Sequence, residues 1–304
     1  MLDVINNKEL GIKEILSITL NLFKRNFKSI MIVVLVLFFP ISIVSELVLE
    51  RLSNSLLMLD NTNEVAFVPE NLSYLTQTYV SFIQNYALLM IVLLFLVPVG
   101  TIAIVKITKS HLCNENIQMG HIMGEAMSCI WGVIITGLIY IFFVFLASVV
   151  CVVSAVFICL VFIFLGFYNS VGLFGVIFAI TTIPIVYFVA IWIFYVYIVG
   201  LRGIKGWKAL VYSNNLVKNR FWKTIGFIVL TNLIVVGWEL IADGIFMLTQ
   251  EHVATNILST TIAYFLSSFV YVAMTVLFMN REAILLGEKY SLVENEFDST
   301  IADD

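Results

Sequence analysis

The sequence predicts an all-α, polytopic integral membrane protein with six transmembrane helices. Three observations carry the prediction. The 304 residues are 61% hydrophobic and 12% charged, whereas a soluble domain carries roughly 25% charge. From Ala126 to Leu201, 76 positions in a row, no residue is charged; one crossing needs only about 20. The Lys and Arg residues fall in blocks between apolar runs. The net charge of −4 is a poor guide, because the two signs are segregated along the chain.

The apolar runs cover about 29–49, 86–105, 130–167, 171–199, 224–248 and 256–280. Each is long enough for a helix that satisfies its own backbone in lipid. Together they make residues 1–286 one transmembrane domain. The first run is followed by "SELVLERLS", which lacks a small-x-small cleavage site, so it is read as a retained span. Residues 50–85 then form an extracytoplasmic loop with Glu50, Asp60, Glu64 and Glu70 against Arg51. Its centre, "DNTNEVAFVPENLS", is turn-rich and predicts a mobile surface loop. Asn71-Leu72-Ser73 fits a glycosylation sequon, which has meaning only in a eukaryotic secretory pathway.

The third run has 38 residues, about 57 Å of helix or nearly twice the hydrocarbon thickness. Its middle, "LASVVCVVSAV", holds no Gly, Pro or Asn, and the first turn signal is "GFYNSVG" at 166–172. It is read as one overlong helix, or a span with an apolar extension outside. Spans three and four then form a tall hairpin, with Pro184 kinking the second arm. Residues 287–304 carry six acids and one Lys and read as a solvated cytoplasmic tail.

Charge sets the orientation. With six spans and the N-terminus inside, 15 of the 16 Lys and Arg lie on the inner side and only Arg51 lies outside, as cytoplasmic loops require. A seventh span would send the acid-free block Arg202, Lys205, Lys208, Lys218, Arg220 and Lys223 outward. Both termini are therefore expected in the cytoplasm, with the bacterial plasma membrane as the host bilayer.

One phrase occurs twice. "NLFKRNFKSI" (21–30) precedes the first run and "NLVKNRFWKTI" (215–225) the fifth, with Trp222 as one extra residue. Over residues 8–28, Lys13, Ser17, Asn21, Lys24 or Arg25, and Lys28 recur at helical spacing opposite Ile12, Leu16, Thr19 or Leu20, Phe23 and Phe27. That pattern predicts an amphipathic helix lying in the membrane interface. Its aromatic rings sit at headgroup depth and its cations meet anionic lipid headgroups. The expected surface anchors are Lys24, Arg25, Lys28, Lys205, Trp207, Lys208, Lys218, Arg220 and Trp222. Each cation contributes on the order of 1 kcal/mol at such a surface. Residues 106–128 read as a third, weaker version. The plan is then three parallel units, each an interfacial helix followed by a two-span hairpin, without the inverted repeats of many transporters.

"ILSITLNLFKRNFKSI", with Pro40 in the following run, and "ALVYSNNLVKNRFW" (209–222) resemble the two phrases of the membrane-domain family of glycerophosphoryl diester phosphodiesterases. The resemblance covers nearly the whole chain in layout and two short stretches in motif. The family often has an acidic residue just before its second phrase, where this chain reads "VGLRGIKG". The resemblance implies the membrane module alone. The catalytic barrel of its namesakes needs a couple of hundred further residues, and about 18 follow the last span.

Candidate chemistry is sparse. Cys113, Cys129, Cys151 and Cys159 form no C-x-x-C pair, and His111, His121 and His252 are isolated, so neither a metal nor a cofactor is expected. No phosphate loop, nucleophile elbow or zinc-protease motif occurs. Glu239 and Asp243 stand four apart on one helix face, Glu239 about 22 Å above Thr224. With Glu46 and Arg51 they make a candidate outer-leaflet polar site for a cationic peptide, a lipid headgroup or an ion. The plainer reading is that these charges snorkel to water or pair structurally. The basic block at 202–223 lies between two spans and is rich in aromatics, which points to a membrane surface and away from nucleic acid. The expected function is a non-enzymatic membrane module that organises lipids or serves as an accessory or immunity partner of a transporter or its ATPase subunit. The alternatives are a lipid or peptide transporter and a lipid-modifying enzyme.

Overall fold

The computed structural model describes residue 5 and residues 9–60, 69–115, 118–164, 171–246 and 253–287. Among them there is no strand, and six helices are long and apolar enough to cross a membrane. The chain is an all-α integral membrane protein. In order, the helices are α1 (Ile12–Arg25), α2 (Phe27–Val33), a π-helical turn (Val34–Phe38), α3 (Phe39–Asp60), α4 (Pro69–Leu112), α5 (Met119–Ser128) and α6 (Ile130–Phe164). There follow α7 (Val171–Ile191), α8 (Tyr195–Arg202), α9 (Trp207–Val217), a 3-10 turn (Lys218–Arg220), α10 (Phe221–Phe246) and α11 (Val253–Leu286).

Three features depart from the sequence reading. The segment expected as a loop at 50–85 is largely helical: α3 runs to Asp60 and α4 starts at Pro69. Polar residues alone do not end a helix, and no Gly or Pro falls between Pro40 and Asp60 to do so. The fourth run, read as one helix over 171–199 with a kink at Pro184, keeps Pro184 inside α7 but is not one helix. The interruption is at Trp192–Phe194, where the N–H groups of Ile193 and Tyr195 bond three residues back. The helix expected over 8–28 stops at Arg25, and Asn26 turns the chain directly into α2. The overlong third run is one unbroken helix of 35 residues, about 52 Å long.

Contacts group the chain into two compact units. One comprises Met1–Ile12, Ser128–Leu230 and Val276–Asp304; the other comprises Lys13–Met127 and Thr231–Thr275. In the second unit the π-helical turn lies just ahead of Pro40, and Phe39 N–H bonds Val34 O, five residues back. The wider turn makes room for a proline ring that would otherwise press on the preceding turn. Phe38 is fully buried there, stacked on Tyr264 at 5.0 Å. Gly100 faces it so closely that an added Cβ would stand 2.6 Å from the ring. Phe23 and Phe27 pack edge-on or tilted against Phe265, at 5.4 and 5.1 Å.

In the first unit α6 and α7 form the tall hairpin. Only 6% of the apolar stretch of α6 is buried, against 50% for α11. Most of its side chains therefore face outward, as a lipid-facing helix without charge can. The core lies at the other end, where Phe194, Ile198, Val199, Leu210, Val217 and Phe278 are almost fully enclosed.

Candidate functional site

The densest polar chemistry in the first unit gathers at the end of α11, where Asn280, Arg281 and Glu282 are consecutive and all buried. Asn280 clasps the N-terminal segment. Its Oδ1 accepts the Leu10 N–H at 3.2 Å and its Nδ2 donates to Ile5 O at 2.7 Å. Glu282 accepts from Arg202 Nε and Nη2 at 2.8 and 2.9 Å and from Tyr212 OH at 2.9 Å. The Arg202 and Glu282 side chains are 4% and 0% exposed, so this two-pronged pair is desolvated as well as well-shaped. Arg202 ends α8, and Gly203 takes φ +70° directly after it, the left-handed cap that glycine adopts without penalty.

A second cluster centres on Glu9. Its Oε2 lies 3.2 Å from Arg220 Nη2, and its Oε1 lies 3.1 Å from Lys223 Nζ and 3.0 Å from Arg281 Nη1. The hydrogen bond from Lys223, helped by the charges of Arg220 and Arg281, holds the Glu9 carboxyl below its ordinary value against the opposing effect of burial. Arg281 Nε is buried and finds no hydrogen-bond partner among the described residues.

The corner between α8 and α9 is built by small and hydroxyl residues. Ser213 Oγ donates to Ile191 O at 2.8 Å and accepts the Phe194 N–H at 3.2 Å. It thereby satisfies both sides of the break in the fourth run, a need that water meets elsewhere and lipid does not. Thr136 accepts the Gly206 N–H at 2.7 Å. Gly132 leaves room for the Lys205 stem, whose carbons would stand 3.0 Å from an added Cβ. Tyr140, Phe143, Trp192 and Trp207 form an aromatic cluster over this corner. Beyond it an apolar groove of about 510 Å³ runs between α6 and α7, lined by Phe143, Ala147, Val150, Cys151 and Phe188.

In the second unit Glu46 accepts from Thr260 Oγ1 at 3.1 Å and Glu239 from Ser267 Oγ at 3.3 Å. Thr260, Tyr264, Ser267 and Tyr271 recur at helical spacing along α11, so both carboxylates address one hydroxyl-bearing face, at points about 10 Å apart. Arg51 Nη1 reaches Asn85 Oδ1 at 3.5 Å. Asp243 lies one turn beyond Glu239 in α10, and its side chain is outside the described residues, as is His252. Lys106 pairs with Glu125. The hydrogen bond from Lys106 leads the causes that hold the Glu125 carboxyl below its ordinary value.

Of the expected surface anchors, Lys24, Arg25, Lys28, Lys205, Lys208, Lys218, Trp207 and Trp222 are exposed. Arg220 is partly covered by its contact with Glu9. The sequence reading singles out neither Glu9 nor the Asn280-Arg281-Glu282 run as a site. A signal was available: six cations at 202–223 with no acid among them require counter-charges from elsewhere in the chain. Among the described residues no group of three or more His, Cys, Asp or Glu is placed to hold a metal ion, and none of the four cysteines is in a disulfide. Comparison with family models, with curated proteins and with solved structures gives no match.

Proposed function

We propose that this chain is a non-enzymatic module of the bacterial plasma membrane that organises anionic lipid at the cytoplasmic face. It works by itself or as an accessory beside another membrane protein or an ATPase subunit, with both termini in the cytoplasm. The observation that carries this reading is the doubled entry to a span. In each unit an exposed cation set with an exposed aromatic stands where a helix turns into an apolar run: Lys24, Arg25, Lys28 and Phe27 in one, Lys205, Lys208, Lys218, Trp207 and Trp222 in the other. Aromatic rings favour headgroup depth, and Lys and Arg favour anionic phosphates. The inner-side excess of Lys and Arg supports the orientation. The resemblance of both phrases to the glycerophosphodiesterase membrane-domain family belongs to the same proposal.

The test is lipid selection. Full-length protein, extracted from vesicles holding equal phosphatidylglycerol and phosphatidylcholine, is expected to retain the anionic lipid in excess by native mass spectrometry. Replacing Lys24, Arg25, Lys28, Lys205 and Lys208 by Gln is expected to remove most of that excess. Equal retention of both lipids by the unmodified protein would sink the reading.

One observation favours transport of a lipid or peptide as a second reading. Glu46 and Glu239 are half-buried carboxylates within apolar runs, hydrogen-bonded to hydroxyls of one helix, and ionisable groups at such depth often mark pathways. Glu239→Gln is the discriminating variant: vesicle flux and stability both equal to the unmodified protein would remove Glu239 from any pathway.

A further inference from the structure

Among the described residues the Glu9 cluster is short of negative charge. Arg220, Lys223 and Arg281 bring three cations to one carboxylate, a formal surplus of two. In the neighbouring pair the Glu282 carboxylate is matched by Arg202. Both Glu9 oxygens are already engaged, Oε1 by Lys223 and Arg281 and Oε2 by Arg220. The Arg281 side chain is only 5% exposed, yet its Nε–H is buried without an acceptor among the described residues. A guanidinium carries five donors in a fixed fork, and a buried unmatched donor on a charged group costs more than an ordinary lost hydrogen bond. Among the described residues the arrangement lacks an anion with several acceptor oxygens.

We propose that Arg220, Lys223 and Arg281 form a binding site for a phosphate group, with Glu9 as the internal carboxylate that shares the site. A phosphomonoester fits best. It carries close to two negative charges near neutral pH and three acceptor oxygens, which matches the surplus and leaves one oxygen for Arg281 Nε. Trp222, between Arg220 and Lys223 in sequence, is 81% exposed, as an indole at headgroup depth would be. The favoured source is therefore the headgroup of a phosphomonoester lipid in the cytoplasmic leaflet; free phosphate has the same chemistry. The lipid source rests on the orientation proposed above, whereas the phosphate site itself does not.

The test titrates the full-length protein in detergent with short-chain phosphatidic acid, short-chain phosphatidylcholine or inorganic phosphate, read by thermal shift and native mass spectrometry. Saturable one-to-one binding of phosphatidic acid is expected, with no such binding of phosphatidylcholine. Arg220 and Lys223 are partly or largely exposed, so the double variant Arg220→Gln/Lys223→Gln is expected to fold and to bind at least about tenfold more weakly. Glu9→Gln removes the competing carboxylate and is expected to tighten binding, a sign that a purely structural role for Glu9 would not give. Inorganic phosphate binding as tightly as phosphatidic acid would identify free phosphate as the source and keep the site. The proposal is overturned if neither phosphate compound binds, if the double variant binds like the unmodified protein, or if Glu9→Gln weakens binding. Saturable phosphate binding without bulk anionic selection would leave this site standing and remove the lipid-organising function.

Discussion

The two copies of the basic, aromatic phrase share three buried positions and use their polar residues differently. Ile15, Thr19 and Leu22 are buried in α1. Ala209, Ser213 and Leu216, which hold the same places relative to the shared Asn-Leu, are buried in α9. Thr19 donates to Ile15 O within its own turn, while Ser213 bridges two backbone groups of another segment. Asn26 is buried with neither side-chain polar atom bonded among the described residues; its counterpart Arg220 reaches Glu9. The phrase therefore encodes a buried stripe and an entry into a span. What its polar side chains do is set by partners far away in the chain.

The comparison breaks most severely where the second copy is tied to the last helix. Tyr212 of α9 shares Glu282 with Arg202. Removing one partner of a buried ion pair strands the other, at a cost of about 3–5 kcal/mol. Arg202→Met is expected to lower stability by that amount in detergent-solubilised unfolding measurements. The double variant Arg202→Met/Glu282→Leu should recover most of the loss, because no charge is then left unpaired. A single Arg202→Met variant as stable as the unmodified protein would mean the pair does not hold the second copy.

The next largest effect compares equivalent positions directly. Ser213→Ala leaves the Phe194 N–H and the Ile191 C=O without their bridge, for a loss of about 1–3 kcal/mol. Thr19→Ala removes only a hydroxyl that bonds back along its own helix, and such bonds contribute little. Unfolding of the two variants side by side should separate them clearly. Equal losses would mean that Ser213 is a packing residue like Thr19.

These contrasts mark how far the sequence alone reaches. Apolar runs of 20 or more residues reveal spans because lipid forces the backbone to bond within the segment. The six spans were legible for that reason, whereas the third run reads as one overlong helix or a span with an outer extension, and α6 is one helix. The break at Trp192–Phe194 was not legible, since it contains neither Gly nor Pro and is stabilised by Ser213, 19 to 22 residues on. The helical ends of the 50–85 segment were hidden by a polar composition that resembles a loop. Glu46 and Glu239 were legible as charges inside apolar runs, but their hydroxyl partners on α11 were not. Hardest was the Glu9 cluster: its carboxylate stands more than 200 residues from the cations it meets, and no local pattern encodes such a contact.

A smaller effect of opposite sign is expected at Asn26. Replacing a buried amide that makes no hydrogen bond by Leu removes an uncompensated desolvation cost, so Asn26→Leu should be neutral or raise stability by roughly 1 kcal/mol. Arg220→Leu at the matching position should instead lower it, because a contact with Glu9 is lost. Clear destabilisation by Asn26→Leu would show that a partner completes the Asn26 site, and would make the two copies more alike than their contacts indicate.

The smallest effect is a pH dependence confined to the second copy. The Glu9 carboxyl is held below its ordinary value by Lys223, with Arg220 and Arg281, so the folded state binds a proton less readily than the unfolded chain. Its stabilising contribution is fully present above the ordinary carboxylate value of about 4.5. It is lost as the pH falls through the depressed folded-state value. Between pH 7 and pH 3 the unfolding temperature of the unmodified protein should therefore fall more steeply than that of Glu9→Gln, the two curves converging at the acid end. Glu125, held low by Lys106, titrates in both proteins and cancels in the difference. Lys24 and Lys28 of the first copy are exposed, so changing them to Gln should leave the shape of the curve unaltered. Parallel curves for Glu9→Gln and the unmodified protein would mean that Glu9 is as solvated as those lysines, and that the second copy differs from the first only in its buried pair.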